Sequence, residues 1–307
     1  MRGGNGAIYA LLCLSALFWA GSVIVGRAVA DEIPPMALNF WRWVLAFLCI
    51  APFGLPALWK ARDAFRQNWR LLTMLAVFNS AAFGSLLFLA LQRTVAINGS
   101  LLIGSMPINI VLVSLVILRI RITTLQTIGV VLGFAGIVTI VCQGNPDIIA
   151  ELAFNIGDLI LWLGVLAYAV YSIYLPAARR ALDLIPLMTA LFALGSLTCL
   201  PLYLWESTIQ GVTLPLNWTA AWSIGFMGIF PSLLAQVFWA SAVPRVGANT
   251  AGYFIYLAPV FGTIAAIVLL GERFAWFHAA GIALIFAGIF LATRGAGRHT
   301  AEKSPLQ

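Results

Sequence analysis

Phe134-Ala135-Gly136-Ile137 returns in the same chain as Phe286-Ala287-Gly288-Ile289, 152 positions later. Extended outward from these tetrads, residues 90–141 and 242–293 align without a gap, and 14 of the 52 positions are identical. Shared apolar composition alone would give fewer. The identities fall at informative places: Ala96 with Ala248, Pro107 with Pro259, Arg121 with Arg273, Gly129 with Gly281. A proline inside an apolar run frees a backbone carbonyl and kinks a helix, and glycines let helices approach closely, so both copies repeat the same packing instructions. A repeat of this kind fixes the architecture before any single motif is weighed.

The solvent for that architecture follows from composition. Of 307 residues, 62% are apolar and only 9% charged, with a mean hydropathy of +1.01. No soluble domain hides that much apolar surface, so a lipid bilayer is the partner that composition demands. The net charge of +7 does not point to nucleic acid, because the basic residues sit in short clusters between apolar runs, where they orient a membrane protein. Cys13, Cys49, Cys142 and Cys199 form no CxxC pair and supply neither a metal nor a disulfide framework, and no cofactor is expected. Arg2, the apolar run from Ile8 and Ala28-Val29-Ala30 imitate a secretory signal. The run to Gly26 exceeds the usual h-region of about 7–15 residues, however, and the repeat needs this segment as a helix.

Ten apolar runs are long enough to span: 8–26, 36–59, 71–91, 95–118 and 122–142, then 159–178, 184–205, 222–243, 247–270 and 274–293. With the N-terminus inside, 13 of the 17 Lys and Arg lie on the cytoplasmic side and seven of the ten acidic residues lie outside; the opposite orientation inverts that bias. Both termini are therefore expected in the cytoplasm of a bacterial inner (plasma) membrane. Five spans separate the two copies, an odd number, so the second enters the membrane upside down. The expected fold is an all-α polytopic membrane protein of two five-helix inverted-topology repeats: residues 1–142, an external linker 143–157, residues 158–294, and a cytoplasmic tail 295–307. Such repeats commonly hold a substrate site at midplane between the halves. The first helices match more loosely, Leu17-Phe18-Trp19-Ala20 against Leu166-Ala167-Tyr168-Ala169.

Ten spans in two repeats, an aromatic in each first helix, and a mid-helix proline followed by a Gly-rich fifth helix resemble the EamA-type branch of the drug/metabolite transporter superfamily. The acidic residue that often ends the fourth helix of a repeat in that family appears as Glu272, whereas Ile120 stands in the first half. Within the family the chain is most similar to YddG-like exporters of aromatic amino acids. These place rings in the third helix, just before the fourth-helix proline, and in the sixth helix. Phe83 and Tyr168 match the first and third places, while Gly104, Ser105 and Met106 precede Pro107 without a ring. The resemblance implies an amino-acid exporter with room for a differently shaped cargo.

The residues that could carry chemistry are few. No GxxxxGK[ST] loop, HExxH or GxSxG is present, so neither an ATPase nor an enzyme is expected. Asp158, Glu206 and Glu272 lie near helix ends, leaving no carboxylate deep enough for a proton relay and favouring gradient-driven uniport. Arg42 is the single charge well inside a span. It either faces the cavity and holds a substrate carboxylate or snorkels to the surface. Trp19, Phe83 and Tyr168 lie near helix centres and serve either stacking on substrate or packing. Asn79 and Ser105 either line the path or bond between helices. Tyr256 reaches either the carbonyl freed by Pro259 or the path. Pro107 and Pro259 read as hinges, against static kinks. Gly129 and Gly133 form a GxxxG face. Trp41, Trp43, Trp59, Trp69 and Trp276 read as interfacial anchors.

These features together predict an alternating-access transporter of a small-molecule substrate, an amino acid or related metabolite, and are compatible with a monomer. A carrier of sugars or nucleotide sugars, or a non-transporting receptor or scaffold, is the competing reading. Walls poor in Arg argue against a doubly charged phosphate cargo.

Overall fold

The computed structural model of the protein describes residues 5–270 and 273–299, and all its regular structure is helical. Ten spans are built: α1 (Asn5–Ala28), α2 (Pro35–Lys60), α3 (Arg62–Leu91), α4 (Ile97–Leu118), α5 (Thr124–Val141), α6 (Ile156–Ala181), α7 (Leu184–Ile209), α8 (Trp218–Val246), α9 (248–270) and α10 (Trp276–His299). All but α9 are long and apolar enough to cross a membrane as one helix among the described residues. Helix α9 reaches that length only in three pieces, Ala248–Tyr253, a tighter turn Phe254–Tyr256, and Leu257–Leu270.

Local sequence explains most ends. Thr123 and Gln126 form a reciprocal capping box at the start of α5, and Asn155 with Asp158 does the same for α6. Arg119 at the end of α4 and Gly247 before α9 take positive φ angles of 55° and 84° that stop one helix and redirect the chain. Helix α3 begins at Arg62, nine residues before the apolar run. Its first turns carry Arg62, Arg66 and Arg70, whose side chains stay solvated, so helicity outlasts hydrophobicity.

The helices pack as two interlocked sets. Helix α1 lies against α8 and α9, and its repeat mate α6 lies against α3 and α4; α2 packs on α7 and α8, and α7 on α2 and α3. Each contact has its inverted counterpart. Helices α5 and α10 form the most extensive pair, and a glycine cross explains why. A Cβ on Gly129 would stand 2.6 Å from the Gly288 carbonyl oxygen and one on Gly288 would stand 2.6 Å from that of Gly129; Gly136 and Gly281 stand in the same relation, at 2.6 and 2.7 Å. Backbone thus meets backbone, and the GxxxG face finds its partner within the chain.

Candidate functional site

Two stretches of π-helix carry the centre of the bundle, Val77–Gly84 in α3 and Gly228–Leu234 in α8. The 152-residue shift brings them onto one another, with Ser80 at the place of Ser232. A π-turn widens the helix and releases carbonyl oxygens, a device common at functional sites. In both halves a side chain from another helix takes the released oxygen: Asn39 Nδ2 donates to Ser80 O at 2.9 Å, and Trp19 Nε1 donates to Pro231 O at 3.3 Å.

Arg42 stands between these segments and is 6% exposed, so it does not snorkel. Its Nε donates to Asn39 Oδ1 at 2.9 Å and its Nη1 to Ser232 Oγ at 3.1 Å. The guanidinium carbon lies 4.7 Å from the Trp43 ring centre and 5.0 Å from that of Phe88. A Cβ on Gly84 would collide with Arg42 Nη2 at 2.6 Å, so glycine there makes the room. Among the described residues no carboxylate lies within 4 Å of this cation, and Nη2 makes no hydrogen bond. A buried charge without a counter-charge is costly and is retained where a partner or water completes it.

The rings meet against the same π-segments: Phe83 belongs to the first and Trp19 bonds the second. Trp19 and Tyr168, equivalent positions of α1 and α6, pack edge to face with centroids 5.8 Å apart. Phe83 lies 4.9 Å from Tyr168, and Trp239 lies 5.2 Å from Trp19 and 6.0 Å from Tyr168. A polar relay crosses beneath them: Tyr171 Oη donates to Gln236 Oε1 at 3.2 Å, and Gln236 Nε2 donates to Asn79 Oδ1 at 3.3 Å. Tyr168 Oη, Ser172 Oγ, Trp239 Nε1 and Ser80 Oγ are buried with no partner among the described residues. Unpaired buried polar atoms at this density single out the centre of the bundle as the candidate site.

Five of the seven residues singled out from the sequence therefore gather around the two π-segments: Trp19, Arg42, Asn79, Phe83 and Tyr168. Ser105 and Tyr256 are engaged elsewhere. Ser105 Oγ donates to Leu102 O of its own helix at 2.7 Å and accepts from Asn109 Nδ2 at 3.0 Å. Tyr256 Oη donates to Val130 O of α5 at 3.1 Å, so it is a strut between α9 and α5 and reaches neither the carbonyl freed by Pro259 nor an open path. Pro107 follows the break between Ala96–Gly104 and Met106–Leu118, and Pro259 follows the tight turn in α9. Both fourth helices thus interrupt their α-helical pattern just before their proline.

Asn39, Ser232, Gln236, Tyr171 and Trp239 join the same cluster of contacts and were not among the residues singled out from the sequence. Asn39 is one helical turn before Arg42, a spacing that predicts contact. Ser80 and Ser232 emerge if the ungapped repeat is carried ten residues upstream. Gln236 carries the same signal as Asn79, being the one amide inside the apolar run 222–243. Trp43, read as an interfacial anchor, is instead 1% exposed against Phe192, because its face of α2 meets α7.

The helix-end carboxylates are buried in two cases. Asp158 accepts from Asn98 Nδ2 at 2.7 Å, from Asn155 N–H at 2.9 Å and from Thr94 Oγ1. Glu206 caps α2, taking the N–H groups of Met36 and Ala37 at 3.0 and 2.7 Å, where the helix dipole favours an anion. Glu272 lies outside the described residues.

Fold and site together define a polytopic membrane protein with a polar, ring-lined centre between two inverted halves. The EamA-like transporter family matches residues 6–142 and 155–294, and the chain belongs to that family. It is a transporter and not an enzyme. Its relatives include an "Uncharacterized transporter" of Archaeoglobus fulgidus, 29% identical over 94% of this chain and 98% of that protein, and "Uncharacterized transporter YyaM" of Bacillus subtilis, 25% identical over 93% of each. A "Probable terminal-alkyne amino-acid exporter" of Streptantibioticus cattleyicolor is 27% identical over 97% of each chain. A solved crystal structure superposes with a TM-score of 0.75 at 20% identity, covering 97% of this chain and 99% of the other, a likeness of fold.

Proposed function

We propose that this transporter exports amino acids across a bacterial inner membrane by alternating access, with its N-terminal end in the cytoplasm. The observation that carries the reading is the buried, counter-charge-free Arg42 beside the ring cluster of Trp19, Tyr168 and Phe83. A zwitterion with an apolar side chain supplies what each lacks: a carboxylate for the planar guanidinium fork and a surface for the rings. The exporter named for one relative at 27% identity supports the same class. Asn79 and Gln236 would orient the ammonium group by their carbonyl oxygens. Breaks before Pro107 and Pro259 would act as paired hinges, as exchange between inverted halves requires. With the buried carboxylates Asp158 and Glu206 committed to helix N-termini, flux would follow the substrate gradient without a proton requirement.

Counterflow of labelled amino acids in liposomes tests this. Arg42→Gln should weaken amino-acid binding by about 1.5–3 kcal/mol, the worth of a charge-assisted bond, or about ten- to a hundredfold in affinity. Arg42→Lys should restore only part, since charge remains and the bidentate fork is lost. Decarboxylated amines should compete poorly with the parent amino acids. A correctly inserted Arg42→Gln protein with normal amino-acid transport, inhibited equally by amines and amino acids, would remove Arg42 from the site.

A further inference from the structure

The turn between α2 and α3 is a single residue, Ala61, and the two helices leave it at an angle that opens a groove of about 260 Å³. Its walls are Leu55, Leu58, Trp59 and Phe65, and two arginines, Arg62 and Arg66, stand at its mouth. Arg62 and Arg66 are one helical turn apart, share a face and both line this one groove. The Arg62 guanidinium carbon lies 5.3 Å from the Trp59 ring centre, within cation–π range. Lys60 and Arg70 flank the pair, and Asp63, 4.0 Å from Arg62 Nε, is the one acid between residues 55 and 70.

Two properties separate this place from the other basic clusters. Charge alone at a span end is explained by the rule that orients membrane proteins. Here the charge opens directly onto apolar surface: Trp59 is 70% exposed, and Leu55, one turn earlier on the same face, continues it toward the membrane interior. An occupant must therefore present an anion to the arginines and hydrocarbon to the leucines and rings at once. Trp59 and Trp69 set the depth, because exposed tryptophans at span ends settle at the level of lipid headgroups. Phosphate at that level matches the planar, multi-donor geometry of arginine better than that of lysine.

We propose that the groove between α2 and α3 is a binding site for one anionic phospholipid, with Arg62 and Arg66 holding its phosphodiester and Leu55, Leu58, Trp59 and Phe65 its acyl chains. The site lies far from the π-segments and does not depend on what the protein transports. Since α2 carries Arg42 and Asn39 and α3 carries Asn79 and Phe83, an occupied groove would tie lipid composition to the two helices that build the centre.

The full chain, purified in mild detergent and titrated with phosphatidylglycerol or phosphatidylcholine under native mass spectrometry, tests the site. One phosphatidylglycerol should be retained in preference to phosphatidylcholine. R62Q/R66Q should reduce its affinity about ten- to thirtyfold, the scale expected when two basic residues at a membrane surface are lost. K60Q/R70Q removes the same charge outside the groove and should change affinity less than threefold. Trp59→Ala with Phe65→Ala, which keeps the charge and removes the walls, should also weaken retention. Equal loss in R62Q/R66Q and K60Q/R70Q would reduce the effect to diffuse surface charge and overturn the site, as would equal retention of the two lipids by the unaltered protein.

Discussion

Tyr9 and Asp158 occupy the same position of the repeat, ten residues before the equivalent rings Trp19 and Tyr168, yet they fasten the two ends of the bundle by different physics. At the N-terminal end, Tyr9 of α1 stacks on Phe254 of α9 with centroids 5.1 Å apart and planes inclined at 28°. At the opposite end, Asp158 of α6 is 3% exposed and takes hydrogen bonds from Thr94 and Asn98 of the α4 entrance and from the Asn155 backbone. Arg27 braces the same corner by donating to the carbonyl oxygens of Leu91 and Thr94. The stack is non-directional and tolerates sliding. The carboxylate lock is directional, and breaking it removes three hydrogen bonds at once. Two halves with one architecture therefore carry unequal contacts at their two ends, and in the alternating access proposed above that inequality would make the Asp158 end the harder to open.

The comparison is broken most strongly at Asp158. Asp158→Ala removes three hydrogen bonds, those from Thr94 Oγ1, Asn98 Nδ2 and the Asn155 N–H; Asn98 keeps Ala153 O and Thr94 keeps Val95 O, so the cost is about 3 kcal/mol in total. In a cysteine-free background, a reporter at Ser100→Cys beside this corner should label about a hundredfold faster, and one at Ala248→Cys at the N-terminal end more slowly. Unchanged labelling at both reporters would show that the lock is not a closure.

Next in size is a change that should spare the inequality. Gly129→Ala forces the α5–α10 seam apart at the Gly288 carbonyl, with an overpacking cost of about 1–3 kcal/mol. Thermal unfolding in detergent should fall by several degrees, with the labelling ratio of the two reporters unmoved. A shifted ratio would mean that the seam itself rearranges during transport.

Tyr9→Ala tests the weaker closure. An aromatic pair contributes about 0.5–1.5 kcal/mol beyond its area, so labelling at Ala248→Cys should rise a few-fold, in the opposite sense to Asp158→Ala. The smallest effect is expected from Trp19→Phe, which keeps the ring against Tyr168 and loses only the bond to Pro231 O. Within a membrane such a bond is worth about 0.6 kcal/mol, a two- to threefold change in labelling at either end. A tenfold change would make Trp19 a working part of the closure and not only its packing.

The sequence by itself determined the solvent, the number of spans and the repeat, because hydrophobic runs of bilayer length and a 52-residue self-alignment are one-dimensional signals. It also marked Arg42, since a charge inside an apolar run is visible without coordinates, and the paired Trp19 and Tyr168, since the repeat aligns them. Tertiary structure decided what these residues meet. Ser105 and Tyr256 looked like Asn79 in sequence, as polar groups at mid-span, yet one bonds its own helix and the other braces α5. The π-turns in α3 and α8 have no signature in composition, because a single inserted residue per turn does not disturb an apolar run. Burial of Trp43, Asp158 and Glu206 was equally hidden: position along a helix is written in the sequence, but the face a residue presents, and the helix that face meets, are set by packing between distant segments, 170 residues apart for Glu206 and Met36.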